Sequence, residues 1–164
     1  MKIPLAVRSL FWVCLCPGTL GLVLPWVLWM HFPGPLELGA WHWAGLPLAL
    51  VGVGVLGSCV LGFAREGQGT LSPLDPPKFV VRGGLYRRVR NPMYLGVLTA
   101  ILGEGLFLQS GAIFLWWGCA GLAFHLVVVL YEEPALARAF GEDYEAYRRA
   151  VPRWIPKFDS MLSA

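Results

Sequence analysis

Charge is scarce in this chain. Of its 164 residues only 14% are Asp, Glu, Lys or Arg, whereas 57% are hydrophobic and the mean hydropathy is +0.61. Soluble domains carry charge at about a quarter of their positions, so the composition excludes an ordinary soluble protein and indicates a membrane protein. The length is that of one domain, and we predict a single unit over residues 1–164.

Metal-binding patterns are also lacking. The three histidines, His31, His42 and His125, follow no paired spacing, and the four cysteines show no metal or redox spacing. We therefore predict no metal or haem site. The chain has no internal repeat and no low-complexity segment, and we predict no nucleic-acid partner.

Lysine and arginine are absent from two connections between apolar stretches, residues 32–40 and 109–111. All 13 lie instead before the first stretch, between the second and the third, or after the fourth. Positively charged loops stay on the cytoplasmic side of a membrane. We therefore predict cytoplasmic termini and a cytoplasmic central loop, in the inner cell membrane of a prokaryote or the endoplasmic reticulum of a eukaryote.

Four apolar stretches qualify as membrane-spanning helices. These predicted spans cover residues 9–31, 41–63, 93–108 and 112–131. The first contains Pro17 and Pro25 and should be kinked; no small-residue cleavage site follows it, so we expect an uncleaved anchor. The third is only about 24 Å long at 1.5 Å per residue, so its N-terminal end should lie at or below the interface. The short connection 109–111 predicts a tight antiparallel hairpin of the last two spans.

After Pro134 the apolar pattern narrows to a single helical stripe. Its members are Leu136, Phe140, Tyr144, Tyr147 and Val151, and the charged residues lie off it. We predict a cytoplasmic amphipathic helix over residues 134–150, lying on the membrane or over a site, although Gly141 weakens the pattern at its centre. The predicted fold is thus an all-α integral membrane protein with four transmembrane helices, a C-terminal helical hairpin and this amphipathic helix.

A basic, proline-rich loop runs into the third predicted span. Asn91 is a good helix cap and Pro92 suits the first helical position, so this span should begin there. The unpaired N–H groups of a first helical turn, with Arg90 beside them, form an anion site. Tyr94 projects from the same turn, and Gly96 permits close approach of another backbone or a ligand.

Two carboxylates, Glu132 and Glu133, follow the fourth predicted span at the same level of the hairpin. Carboxylates at a helix C-terminus are unfavourable to the helix dipole, so we expect them to have a partner. An anion site facing carboxylates fits a zwitterionic cofactor with a ribose and an added positive charge, such as S-adenosylmethionine. Each feature also has an ordinary structural explanation, namely a topology signal, a cap and a solvated helix boundary, and spacing alone does not name the cofactor.

Between Gly67 and Pro156 a set of short motifs occurs in order. They are Gly67-x-Gly69-Thr70, Pro76-Pro77, Leu85-Tyr86-Arg87-x-x-Arg90-Asn91-Pro92-x-Tyr94-x-Gly96, Glu132-Glu133-x-x-Leu136, Phe140-Gly141-x-x-Tyr144-x-x-Tyr147 and Val151-Pro152-Arg153. This set resembles the isoprenylcysteine carboxyl methyltransferase family, within a wider group that includes the phospholipid N-methyltransferases. The first two spans carry little of the resemblance.

The resemblance implies a multi-pass membrane enzyme that uses S-adenosylmethionine, with a lipidic acceptor that arrives sideways from the bilayer and with membrane lipids as its surroundings. We expect cofactor contacts at Tyr86, Asn91, Pro92, Tyr94, Gly96, Glu132 and Glu133. One departure concerns Asn91, which stands where many members of the family have histidine. An asparagine side chain still donates and accepts hydrogen bonds.

The acceptor decides which residues are catalytic. Methyl transfer needs aligned reactants and exclusion of water. A carboxylate acceptor needs a cation to hold it, for which Arg90 and Arg153 are candidates; an amine must first lose a proton, to Glu132 or Glu133. We favour carboxyl O-methylation of an isoprenoid-type acceptor, with Arg90, Glu133 and Arg153 as the catalytic set. The alternatives are N-methylation of a phospholipid or amine, and an NADPH-dependent membrane reductase of the sterol type.

Overall fold

The structure is a computed structural model that describes residues 14–32, 34, 36–66 and 80–158. Every regular element in those ranges is a helix, as the sequence predicts. In chain order they are a π-helical segment Cys14–Val23, α1 (Leu24–His31), a 3-10 turn Gly39–Ala44, α2 (Gly45–Glu66), a 3-10 turn Gly84–Arg87, α3 (Pro92–Phe107), α4 (Gly111–Val127), a π-helical turn Val128–Glu132, α5 (Glu133–Phe140) and α6 (Glu142–Ala150).

Two helical stretches are long and apolar enough to cross a membrane, Gly39–Gly62 and Gly111–Phe140. Shorter apolar helices cover Gly18–His31 and Pro92–Phe107. The two long stretches are mostly exposed rather than buried within the molecule, and Leu130 for example is 71% exposed. Large exposed apolar surfaces are rare in soluble monomers, so this surface suits a hydrocarbon solvent. The four-span topology with cytoplasmic termini stays a prediction.

The described part of the first predicted span is distorted where kinking was expected. A π-helical segment, Cys14–Val23, precedes α1, and Pro25 lies in the first turn of α1. Prolines and π turns are both recognised causes of helix bending. The start of this predicted span, residues 9–13, lies outside the described residues.

The helix that contains the fourth predicted span does not end at Tyr131, as the sequence led us to expect. α4, the π-helical turn and α5 form one continuous helical stretch, Gly111–Phe140. Pro134 lies inside this stretch, as the second residue of α5 directly after the π-helical turn. Glu132 and Glu133 therefore lie within a helix rather than at its C-terminus, and the argument from an unfavourable dipole does not apply.

The amphipathic segment 134–150 is not one helix. Gly141 has φ 53° and ψ −129°, a conformation open mainly to glycine, and it separates α5 from α6. The predicted stripe is nevertheless real. Its five members pack in one cluster, in which Tyr144, Tyr147 and Val151 are buried and Leu136 and Phe140 are partly buried. Val80 packs on the same cluster, so the stripe covers the loop that precedes α3.

α3 packs against α2 along a seam of small residues. A Cβ atom added to Gly52 would overlap the backbone of Gly96 and Ala100, and one added to Gly103 would overlap the backbone of Ala49. Membrane helices approach closely through such small residues because water does not drive their association. Gly96 thus faces α2, and this packing determines where the start of α3 lies.

We expect Gly52→Ala to destabilise the protein, although alanine is the better helix former. The added methyl group must push α2 and α3 apart, and overpacking of this kind costs about 1–3 kcal/mol. Gly54→Ala is the matched control on the same helix, because nothing lies within 4 Å of its added Cβ. Thermal denaturation in detergent should show a lower midpoint for Gly52→Ala only. Equal midpoints would contradict the close helix contact.

Candidate active site

The loop before α3 is held in place by α6. The hydroxyl of Tyr147 donates to the backbone oxygen of Tyr86 at 2.8 Å, and Arg82 Nη2 lies 2.7 Å from both the backbone oxygen and Oδ1 of Asp143. Burial raises the pKa of Tyr147 to about 12, so its hydroxyl keeps the proton that it donates. The position of Arg90, at the end of this loop, is therefore set by an element some fifty residues later.

The segment of residues 151–158 runs along the same loop. Arg90 N donates to Pro152 O at 2.9 Å, and Lys157 N donates to Arg88 O at 2.9 Å. The side chain of Asn91 donates from Nδ2 to the backbone oxygen of Arg153 at 3.2 Å. These hydrogen bonds place Arg153 beside the start of α3.

Glu133 lies between two guanidinium groups. Its Oε1 accepts from Arg90 Nη1 at 2.9 Å and from Arg153 Nε at 2.6 Å, and its Oε2 accepts from Arg153 Nη2 at 2.9 Å. The side chains of Arg90 and Glu133 are 9% and 8% exposed, whereas that of Arg153 is 32% exposed. The hydrogen bond to Glu133 raises the pKa of Arg153. Two cations around one anion leave this triad with a net positive charge.

The buried part of the triad is not fully satisfied. Tyr144 OH accepts from Arg90 Nη1 at a long 3.4 Å, and Arg90 Nε is buried without a hydrogen-bond partner among the described residues. An unpaired buried donor costs about 1–3 kcal/mol. A ligand oxygen that reached Arg90 would remove that cost.

Glu132 takes part in a different contact. Its Oε1 accepts a hydrogen bond from the hydroxyl of Tyr94 on α3. The ring of Tyr94 packs against Phe124 of α4 with centroids 4.6 Å apart, and the ring of Trp154 lies 6.5 Å from that of Tyr94. A carboxylate has about four acceptor positions, so Glu132 can accept further hydrogen bonds from a ligand.

The structure brings six of the predicted site residues together: Arg90, Asn91, Tyr94, Glu132, Glu133 and Arg153. It gives the others a different setting. Gly96 faces the backbone of α2, the backbone oxygen of Tyr86 is bound by Tyr147, and Pro92 is buried as the first residue of α3.

Two interpretations of these residues change. Asn91 stands at the N-cap of α3, yet its side-chain oxygen makes no capping bond; its Nδ2 donates to the backbone oxygen of Arg153 in the C-terminal segment. Arg90 and Arg153 were expected to be available for an anionic acceptor. Both contact Glu133, because a buried carboxylate needs compensating charge. The expectation that the carboxylates have a partner agrees with these contacts.

Sequence reasoning missed three contributors. Trp154 donates from Nε1 to Nδ1 of His125 at 3.1 Å, whereas the sequence led us to consider His125 as a possible metal or haem ligand. Tyr144 lies in the predicted stripe, but its contact with Arg90 has no local signal. The third contributor is the π-helical turn Val128–Glu132, which ends at the first of the two carboxylates. Such turns are frequent at functional sites, and Pro134 is the one sequence feature that indicates an irregular helix here.

Glu104 lies apart from this site. It is in α3, 13 residues after Asn91, which is about 20 Å along a helix at 1.5 Å per residue. Its Oε2 is buried without a hydrogen-bond partner in the described part of the chain. No described contact links it to the triad.

The apolar helices indicate a membrane protein, with a cluster of interacting polar residues where α3 begins and α5 begins. Residues 40–143 match the model of the family described as phospholipid methyltransferase, which is more than half of the chain. The chain belongs to the phospholipid methyltransferase family. This confirms the resemblance drawn from the motifs, and the matched range includes Arg90, Tyr94 and both carboxylates.

Individual relatives carry different names. Methanethiol S-methyltransferase 2 of Bradyrhizobium diazoefficiens is 28% identical over 94% of this chain and 62% of its own length. Protein-S-isoprenylcysteine O-methyltransferase of Schizosaccharomyces pombe is 34% identical over 47% of this chain and 33% of its own length. Steroid 5-alpha-reductase DET2 of Solanum lycopersicum is 31% identical over 75% and 47%. The chain thus spans between 33% and 62% of the length of these relatives.

Proposed function

We propose that this chain is an S-adenosylmethionine-dependent methyltransferase that acts on a lipidic acceptor at a membrane. The observation that carries the proposal is the pair of adjacent carboxylates with separate partners, Glu132 with Tyr94 and Glu133 with two arginines. This arrangement lies within a chain of the phospholipid methyltransferase family. The exposed apolar helix faces beside it suit an acceptor that approaches through the bilayer.

The described residues fit the methyl donor. The buried Nε of Arg90, which has no hydrogen-bond partner among the described residues, suits an oxygen of its carboxylate, and Glu132 has acceptor positions left for ribose hydroxyls. Tyr94, the hydroxyl partner of Glu132, lies near the rings of Phe124 and Trp154, and aromatic faces favour a cation. When bound, the donor supplies an electrophilic methyl group on a sulfonium. The residues of the chain align it and exclude water.

We propose a carboxylate as the acceptor group, in carboxyl O-methylation of an isoprenoid-type acid. The triad of Arg90, Glu133 and Arg153 keeps one positive charge in excess, and Arg153 is its most exposed member. Glu132 balances this excess over the whole cluster, but the group exposed to an acceptor is the guanidinium of Arg153, which attracts an anionic nucleophile and repels a protonated amine. Its charge disfavours N-methylation of an amine headgroup, which stays the alternative for an acceptor that transfers its proton to Glu132.

A thiol is the second candidate acceptor. The observation in its favour is the 28% identity to methanethiol S-methyltransferase 2 over 94% of this chain. A thiolate is also anionic, so the same net positive triad would favour it over the neutral thiol. The positive charge of the triad therefore favours an anionic nucleophile over a protonated amine, but it does not discriminate between a carboxylate and a thiolate.

The donor is tested by equilibrium binding to the purified protein. We expect saturable binding of S-adenosylmethionine and none of NADPH, because the site offers carboxylates to a sulfonium and only a few cations to a polyphosphate. Binding of NADPH without S-adenosylmethionine would overturn the proposal in favour of a membrane reductase. Binding of neither would overturn both enzymatic functions.

The acceptor is tested with a methyl-labelled donor and a lipid extract of the native membrane, supplemented in parallel reactions with prenyl-tailed acids and thiols. A carboxyl methyl ester releases methanol in mild base, whereas thioethers and N-methyl products do not. We expect base-labile label in the lipid fraction. Base-stable label on a thiol would replace the acceptor by the second candidate, and label in the phospholipid headgroup would establish N-methylation.

A further inference from the structure

Trp154 connects the C-terminal segment to the membrane helices. Its indole Nε1 donates to Nδ1 of His125 on α4 at 3.1 Å, with ring centroids 6.1 Å apart. The same indole lies 6.5 Å from the ring of Tyr94 and packs against the buried cluster that contains Phe124. Both Trp154 and Arg153 lie beyond the end of the family match at residue 143.

Three consecutive residues of this segment contact three different elements. Pro152 O accepts from Arg90 N at the start of α3, Arg153 pairs with Glu133 of α5, and Trp154 bonds to His125 of α4. Arg153 and Trp154 are adjacent in the chain. When the indole of Trp154 is docked, the backbone of Arg153 can therefore adopt few positions, and its guanidinium stays within reach of Glu133.

That restriction matters because Arg153 is the exposed partner of the triad. Its side chain is 32% exposed, and long side chains lose rotamer entropy when they are held in one ion-pair geometry. If the backbone of Arg153 is already fixed, formation of the ion pair carries no additional cost in backbone entropy. Ile155, the next residue, is 80% exposed.

We propose that Trp154 is a positioning residue. Held by the hydrogen bond from its indole to His125 and by its contact with Tyr94, it fixes residues 151–158 on the helices so that Arg153 meets Glu133. The inference concerns the same site as the proposed function and rests on that function for its activity readout. A proteolysis readout tests it independently of activity.

The first experiment follows tryptic cleavage of the bond between Arg153 and Trp154 by mass spectrometry. His125→Leu removes the acceptor but leaves the sequence around the cleaved bond unchanged, so the rate reports release of the segment. We expect cleavage about 3- to 10-fold faster, the effect of losing one neutral hydrogen bond. His31→Leu is the control, because His31 is exposed and its hydrogen bond is to Val27 of its own helix. Equal rates for the wild type and His125→Leu would overturn the proposal.

The second experiment measures kcat/KM for methyl transfer. Trp154→Phe keeps an aromatic ring and removes the donor, so we expect a loss of about 3- to 10-fold. In an Arg153→Gln background the same change should cause no further loss, because Trp154 acts through Arg153. Ile155→Ala should leave kcat/KM unchanged.

Equal losses from Trp154→Phe in both backgrounds would mean that Trp154 contributes to folding alone, which overturns the positioning role. A wild-type protein that transfers no methyl group contradicts the proposed function instead. In that case the cleavage rates still decide the inference.

Discussion

Glu133→Gln is expected to lower the stability of the protein by about 3–5 kcal/mol, the cost of leaving buried charge without its partner. Glu133 is 6% exposed and is the shared counter-ion of Arg90 and Arg153. A glutamine has the same shape, and its carbonyl oxygen can still accept a hydrogen bond. Its amide group, however, is a donor placed against the guanidinium donors, and it carries no negative charge to compensate them. Thermal denaturation in detergent should show a midpoint well below that of the wild type.

Glu142→Gln is the matched control for this change. Glu142 is exposed at the start of α6, where surface substitutions usually change stability by about 0.5 kcal/mol or less. The double variant Glu133→Gln/Arg153→Gln should be less destabilised than the sum of the single variants, because removing Arg153 also removes one uncompensated charge. If Glu133→Gln and Glu142→Gln have the same denaturation midpoint, the buried triad does not stabilise this end of the molecule.

Glu132→Gln is expected to act on ligand binding with little effect on folding. The glutamine carbonyl can still accept from Tyr94, so the helix contact persists. Loss of a hydrogen bond to a charged group costs about 1.5–3 kcal/mol, or roughly ten- to a hundredfold in affinity for S-adenosylmethionine. Calorimetric or fluorescence titration of the purified variant measures this directly.

Two comparisons sharpen this second prediction. Tyr94→Phe removes the hydroxyl that orients Glu132 and should weaken donor binding in the same direction, while Glu142→Gln should bind like the wild type. Glu133→Gln should also bind the donor less well, but with a lowered melting point that Glu132→Gln lacks. If Glu132→Gln bound S-adenosylmethionine with wild-type affinity, Glu132 would not be a donor contact. The hydrogen bond between Tyr94 and Glu132 would then serve only to hold two helices together.

The separate roles of the two adjacent carboxylates could not be read from the sequence. Glu132 and Glu133 are neighbours in one motif, and both were expected to contact the cofactor. Their partners lie 38 residues away in the case of Tyr94, and 43 and 20 residues away in the case of Arg90 and Arg153. Contacts over such separations depend on how helices pack, and no local periodicity reports them.

Helix boundaries were predictable in some places and not in others. Pro92 marks the start of α3 in both the sequence and the structure, because proline favours the first helical turn. Pro134 was taken to separate the span from the amphipathic segment, yet the helix continues through it to Phe140. A π-helical turn lies directly before Pro134, and Gly141, with a positive φ, provides the break instead.

The sequence by itself determined the class of the protein, the helical character of its apolar stretches, and its membership of the methyltransferase family. Those properties follow from composition, from local helix signals and from motif residues in order, all of which are present before folding. Only the tertiary structure decided that Arg90 and Arg153 share Glu133, that Gly96 packs on α2, and that Trp154 reaches back to His125. A buried charge, a close helix contact and a distant hydrogen bond each depend on which surfaces meet, and that is settled by the packing of the whole chain.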